Sequence, residues 1–172
     1  EERSLLRELA QRVKEIALRP EQAEKRRLWY DLIRLQSRRP MFLAFPEDSW
    51  PEFLGDDALM IRDPFWKQWE WVLRHYLYRD AHIHDDLVIP PCLWLEKVVR
   101  CSNWGKELEY ETSPESGKPA DTWKPLVEKF SDLAQCKPMT AEVDVAATAR
   151  QREALEDAIG DILPIRMSLH PP

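Results

Sequence analysis

The chain has 172 residues, of which 25 are Lys or Arg and 31 are Asp or Glu, giving a net charge of −6. That length suits one domain, and 44% apolar with 33% charged residues suits a single core under a charged surface. No apolar run reaches the roughly 18 residues of a membrane span, no basic-then-apolar leader opens the sequence, and Cys92, Cys101 and Cys136 form neither an even disulfide set nor a CxxC pair. The expectation is a soluble protein of a reducing cytoplasm, with no membrane partner.

Residues 1–39 carry a charge of +4 and the remainder −10. The basic residues of the arm alternate with acids along an amphipathic pattern and lack an aromatic stacking platform, which argues against nucleic acid. Leu5, Leu6, Leu9, Val13, Ile16 and Ala17 recur at helical spacing, so a first helix is expected to end near residue 18, ahead of Pro20. A second is expected from about Glu21 to Ser37, burying Leu28, Trp29, Leu32, Ile33 and Leu35 before Arg38-Arg39-Pro40. Met41 to Phe45 is a short, wholly apolar run closed by Pro46, the pattern of a strand covered on both faces.

The clearest helix comes next. Asp63 suits its cap and Pro64 its first turn, and Phe65, Trp66, Trp69, Val72, Leu73, Tyr76 and Leu77 follow at 3.6-residue spacing. Trp71, His75 and Tyr78 form a second stripe, which packs either beneath another segment of the chain or against a partner. Ile83 to Ile89 reads as a second buried strand, stopped by Pro90-Pro91. Residues 104–112 read as a hairpin arm, with Leu108 and Tyr110 alternating, and Ser113 to Ala120 as a polar turn. A short helix is expected over Leu126 to Leu133. A longer one opens at Asp144, runs through Ala147, Ala154, Leu155 and Ile159, and stops at a left-handed Gly160, after which Asp161 to Ser168 restarts as a strand.

Strand, helix, strand, insertion, helix, strand is a βαβ series, which calls for parallel strands. The strand and loop sequences resemble the N-terminal part of the uroporphyrinogen decarboxylase superfamily, which includes corrinoid-linked methyltransferases. Pro40 to Phe45 followed by Trp50-Pro51-Glu52-Phe53 looks like its first barrel strand and loop. Asp86-Leu87-Val88 falls at its second strand, and Ile162 to Ile165 with His170-Pro171 resembles its third. Decarboxylase-like proteins of undefined role, with a similar Pro-Glu-x-Ser-Trp loop and Trp-Glu-Trp helix, fit more closely. The resemblance implies an α/β chain: an N-terminal helical segment, 1–39, then the first three βα units of a TIM-type (β/α)8 barrel over 40–172, truncated, with an irregular insertion at about 101–125.

In such barrels the chemistry sits at the C-terminal ends of the strands, here residues 46–50, 86–92 and 168–172. The expected catalytic groups are Asp86, which matches a substrate-binding acid of the superfamily, and Glu47. The expected substrate-binding groups are Asp48, Trp50, Cys92 and His170. Each has an ordinary structural reading beside it: a helix cap for Asp86, solvated loop acids for Glu47 and Asp48, a small buried hydrophobe for Cys92. His82 and His84 share a strand face with Asp86, but without a Cys or second His pair no metal is assigned to them. Where the decarboxylases place arginines for their substrate's carboxylates, this chain reads Pro46-Glu47-Asp48-Ser49-Trp50. Two acids there would repel a polyanionic porphyrinogen.

The resemblance therefore points to corrinoid-linked methyl transfer or an unassigned reaction, with true porphyrinogen decarboxylation as an alternative. Zinc and a corrinoid protein partner are implied only for a full-length methyltransferase, and these residues alone are expected to be inactive. A competing reading is a non-enzymatic interaction module that uses the aromatic helix, supported by eight tryptophans. Unpaired strand edges lead to a further expectation, self-association or a complementing chain.

Overall fold

The computed structural model describes residues 2–102, 104–105, 109–111 and 122–168. His170, Leu108 and the Ser113 to Ala120 turn lie outside the described residues. Among those described, the chain is a helix-rich mixture of α and β elements with short strands and no closed barrel. In order these are α1 (Glu2–Ala17), α2 (Pro20–Ile33), α3 (Trp50–Phe53), α4 (Pro64–His82), β1 (Leu93–Glu96), β2 (Val99–Ser102), β3 (Tyr110–Glu111), β4 (Thr122–Trp123), β5 (Thr140–Val143), α5 (Val145–Ile159) and β6 (Ile165–Ser168). Two compact units emerge, 1–95 with 150–167, and 96–149 with 168–172, so their bounds do not fall at residue 39.

The first unit holds the large core. α1 packs on α4, and its leucine stripe buries Leu6, Leu9, Ala10 and Val13 against Trp69 and Leu73. Leu155, Ile159 and Leu163 complete the cluster, each large apolar side chain contributing about 1.5–3 kcal/mol by leaving water. Arg7 locks α1 to the end of α5 through both oxygens of Asp161, at 2.7 and 2.6 Å. α4 begins as its sequence dictates: Asp63 accepts the N–H groups of Phe65 and Trp66, and Pro64 occupies the first turn. Glu70, fully buried on α4, accepts the N–H groups of Met60 and Ile61 and the Nε–H of Arg74. Burial pushes its pKa up, but these donors outweigh burial and hold it below the ordinary value.

Strand placement departs from expectation. Residues 41–45 form no strand and join no ladder, because their backbone bonds go mostly to side chains: Phe42 N–H to Asp86, Ala44 N–H to Asp85, and Ala44 C=O from Arg79, with Phe42 C=O accepting the Asp86 N–H. Residues 83–89 are irregular for a similar reason, since Asp85 folds back to accept the Leu87 N–H and Ile89 donates to the side chain of Gln22. The strand instead follows Pro90-Pro91. β1 alternates buried Leu93 and Leu95 with exposed Trp94 and Glu96, and pairs with β6. The bonds from Leu93 N to Pro164 O and from Lys97 N to Ser168 O advance equally along both chains, which is parallel pairing.

Two helix ends also differ. α2 stops at Ile33 rather than Ser37, because Leu35 turns left-handed (φ 59°) and Gln36 N–H reaches back to Asp31 C=O, a Schellman closure. Ile33 and Leu35, expected to be buried, are 74% and 93% exposed. At the end of α5, Gly160 does not take a positive φ; a Cβ there would stand 2.6 Å from the Glu156 carbonyl oxygen, so close approach is what favours glycine.

The second unit is built from antiparallel pairs. β2 aligns with β5, Val99 opposite Val143 and Ser102 opposite Thr140, and β3 with β4, Tyr110 opposite Trp123. The short helix expected over Leu126 to Leu133 is a 3-10 segment, Phe130–Gln135. Asp144 caps α5 as expected, accepting the Ala147 N–H at 2.8 Å.

Candidate functional site

Asp86 lies only 8% exposed and fully engaged. Its Oδ2 accepts Arg39 Nη1 (2.8 Å) and the Phe42 N–H (2.8 Å), its Oδ1 accepts Arg39 Nη2 (2.6 Å), and its own N–H bonds the Phe42 carbonyl (2.9 Å). The Asp86 carbonyl accepts Trp29 Nε1 from α2 at 2.8 Å. The Arg39 guanidinium holds the Asp86 carboxyl down at about 2, with the Phe42 N–H and nearby Lys25 assisting against burial. This is the arrangement of a clamp between the 41–45 and 85–89 segments, and it is not the helix cap.

Asp85 has a parallel role. It pairs with Arg79, both side chains being almost wholly buried, and Arg79 also lies over the ring of Phe45, 5.8 Å from its centroid. Arg79, Asp85 and Asp86 line a cleft of about 360 Å³ together with Gln22, Lys25 and His84. Arg39, Arg79 and Gln22 are the residues that sequence reasoning missed. The available signal was two adjacent acids inside an apolar run, a pair that cannot be buried without cationic or N–H partners.

Glu47 and Asp48 are exposed in a 3-10 turn (Glu47–Ser49) that begins with Glu47 at φ 45°. Trp50 packs onto α4, with ring centroids 4.2 Å from His75, 6.1 Å from Trp71 and 5.9 Å from Tyr78, while Phe53 stacks on Tyr78 at 5.4 Å. The second aromatic stripe of α4 is thus packed beneath another segment of the chain. His75 Nε2 is buried there without a partner among the described residues, and burial, aided by the charge of Arg79, pushes its pKa down to about 4. Cys92 is a buried free thiol whose pKa burial raises, the character of a hydrophobe rather than a nucleophile.

Among the described residues, none of Glu47, Asp48, Trp50 or Cys92 shares a hydrogen bond, ion pair or ring contact with Asp86. No group of three His, Cys, Asp or Glu side chains converges among them to hold a metal ion. No described helix is long and apolar enough to cross a membrane. Compared with known proteins, the chain matches no family model, no curated protein and no solved structure.

Proposed function

We propose that this chain is the N-terminal portion of a barrel enzyme resembling the uroporphyrinogen decarboxylases, whose chemistry is corrinoid-linked methyl transfer or an unassigned reaction rather than porphyrinogen decarboxylation. The observation that carries this reading is one parallel strand pair, together with a bonded pair of segments joined by a helix. Residues 42–44 are bonded to Asp85 and Asp86 after a crossover through α4, and β1 lies parallel to β6 after a crossover that includes α5. Neighbouring segments joined by helical crossovers, one pair of them parallel, are what the first units of a truncated TIM-type barrel would supply.

The substrate follows from charge. Glu47 and Asp48 are exposed after the first segment, and the two arginines that bond at it, Arg39 and Arg79, are committed to Asp86 and Asp85. A substrate with many carboxylates would meet repulsion there, whereas a neutral or cationic one would not. A carboxyl held near 2 is also a weak proton shuttle at neutral pH, so Asp86 serves this site by fixing the frame, leaving Glu47 and Asp48 as its acids. The described residues offer no ligand set for the zinc that the methyltransferase resemblance implies.

The test is to give the gene product that contains this chain uroporphyrinogen in one assay, and a methylated corrinoid with a thiol acceptor in another. No carbon dioxide release above background, with the corrin absorbance changing as the methyl group leaves, is the expected result. Decarboxylation at ordinary enzymatic rates would overturn the reading. In the interaction-module alternative, the Trp71, His75 and Tyr78 stripe is a face on which Trp50 and Phe53 of the same chain pack.

A further inference from the structure

We propose that the 41–45 segment is an open strand edge that pairs antiparallel with the same segment of a second copy of this chain. In an extended segment the N–H and C=O of one residue point to the same side and those of the next to the other. Here the even residues are spent internally: Phe42 exchanges bonds with Asp86, and Ala44 bonds Asp85 and Arg79. The N–H and C=O groups of Met41, Leu43 and Phe45 have no partner among the described residues, so the opposite side is a complete, unpaired row. Such a row templates the addition of a strand.

The sequence of the edge favours its own copy as the occupant. Antiparallel pairing about Leu43 sets Leu43 against Leu43 and Met41 against Phe45 in both directions, and each of these pairs exchanges both hydrogen bonds. Every pairing residue is apolar, and Phe42 and Phe45, now 60% and 63% exposed, would each lose water on their own face, against Ala44 and Met41 of the other copy. The flanks are complementary under the same two-fold. The basic end, Arg38-Arg39, meets the acidic end, Glu47-Asp48, of the other copy, and Arg38, Glu47 and Asp48 are all exposed. A parallel arrangement would set like charges side by side. This inference uses only bonds within residues 38–86 and does not rest on the barrel reading.

The experiment is sedimentation velocity on the 172-residue protein from about 1 to 100 µM, with amide hydrogen exchange at both ends of that range. A concentration-dependent dimer is expected, with the Met41, Leu43 and Phe45 amides gaining protection as it forms while Phe42 and Ala44 are protected throughout. Leu43→Pro removes the central donor and should abolish the dimer. Because that variant could instead misfold, charge variants provide the second arm: Arg38→Glu should weaken dimerisation about tenfold, and adding Asp48→Lys should restore it. A monomer at the highest concentration overturns the proposal, including one whose Met41, Leu43 and Phe45 amides are already protected, since the edge is then filled by the chain itself. A dimer in which those three amides exchange freely, or which ignores the charge variants, overturns it as well.

Discussion

Arg39 grips Asp86 with both arms of its guanidinium, at 2.8 and 2.6 Å, and the same carboxylate takes the N–H of Phe42 three residues further along the arginine's own segment. One acid thereby fixes both the direction and the register of residues 39–42 against the 85–89 turn. The pair is unequal: the Arg39 side chain is 46% exposed, whereas Asp86 is nearly buried, so it is the carboxylate that would be left desolvated and unpaired if its partner were lost.

Asp86→Asn is accordingly expected to lower stability by about 1–3 kcal/mol, the range for breaking one such charge-assisted network. Urea unfolding measures it. Arg39→Ala should cost a similar amount, and the double variant much less than the sum, since the two side chains act as one unit. Additive losses would show that the clamp contributes no coupling. An expectation from sequence alone is the opposite balance, lost turnover with stability intact, because an acid in a buried run reads as a ligand for substrate when its arginine lies 47 positions away.

That contrast shows where the sequence was legible. α1, α4 and α5 follow from apolar spacing and from caps whose chemistry is local: Asp63 and Asp144 each bond within three residues of themselves. The extended segments were misread because an apolar run reports burial, not the identity of the bonding partner. Phe42 and Ala44 bond the side chains of Arg79, Asp85 and Asp86 and the Asp86 N–H, and Ile89 uses Gln22, so the apolar pattern of a strand is present without a ladder. The parallel pairing of β1 with β6 spans about seventy positions, and only the βαβ order hinted at it. Among the site residues, the acids were visible by composition, while Arg39 and Arg79 were hidden in stretches that read as a helix stop and a helix end.

Leu35 is a second place to test the structure. It occupies the left-handed position after α2 at φ 59°, where a Cβ is disfavoured, and its side chain is 93% exposed and contributes little packing. Leu35→Gly should raise stability by about 1 kcal/mol, less whatever glycine returns to the unfolded chain as entropy. Thermal and urea unfolding midpoints give the answer, and a loss of stability would show that the leucine side chain is held by contacts it does not make here.

Gly160 makes the converse case. Its N–H bonds the Glu156 carbonyl, and a Cβ would stand 2.6 Å from that oxygen and 2.8 Å from the Glu156 Cα, both of them backbone atoms that cannot swing aside. Gly160→Ala should therefore destabilise by about 1–3 kcal/mol through overpacking, even though alanine suits helix ends on propensity alone. An unchanged urea midpoint would mean that the turn after α5 relaxes freely.

Acid should act on this fold in two successive windows, each with a named group. His75 is held near 4 among Trp50, Trp71 and Tyr76, against about 6.5 for an exposed imidazole. Its folded pKa lies below its unfolded one, so the unfolded chain binds the proton first, and stability falls as pH drops from about 6.5 to about 4, by up to about 3 kcal/mol. Asp86 follows. Its folded pKa is also lowered, from 3.8 to about 2, so the stabilisation it provides is complete above 3.8 and lost as pH falls through that interval. Urea midpoints measured from pH 7 to pH 3 should therefore decline in the first window for the parent chain and stay flat there for His75→Phe, which keeps the ring contacts without the proton site. Tryptophan fluorescence of the folded chain should change at the lower end of that window, near pH 4, where the folded imidazole takes its proton beside Trp50 and Trp71. A decline in that window that persists in His75→Phe would assign it to other groups and remove His75 from the account.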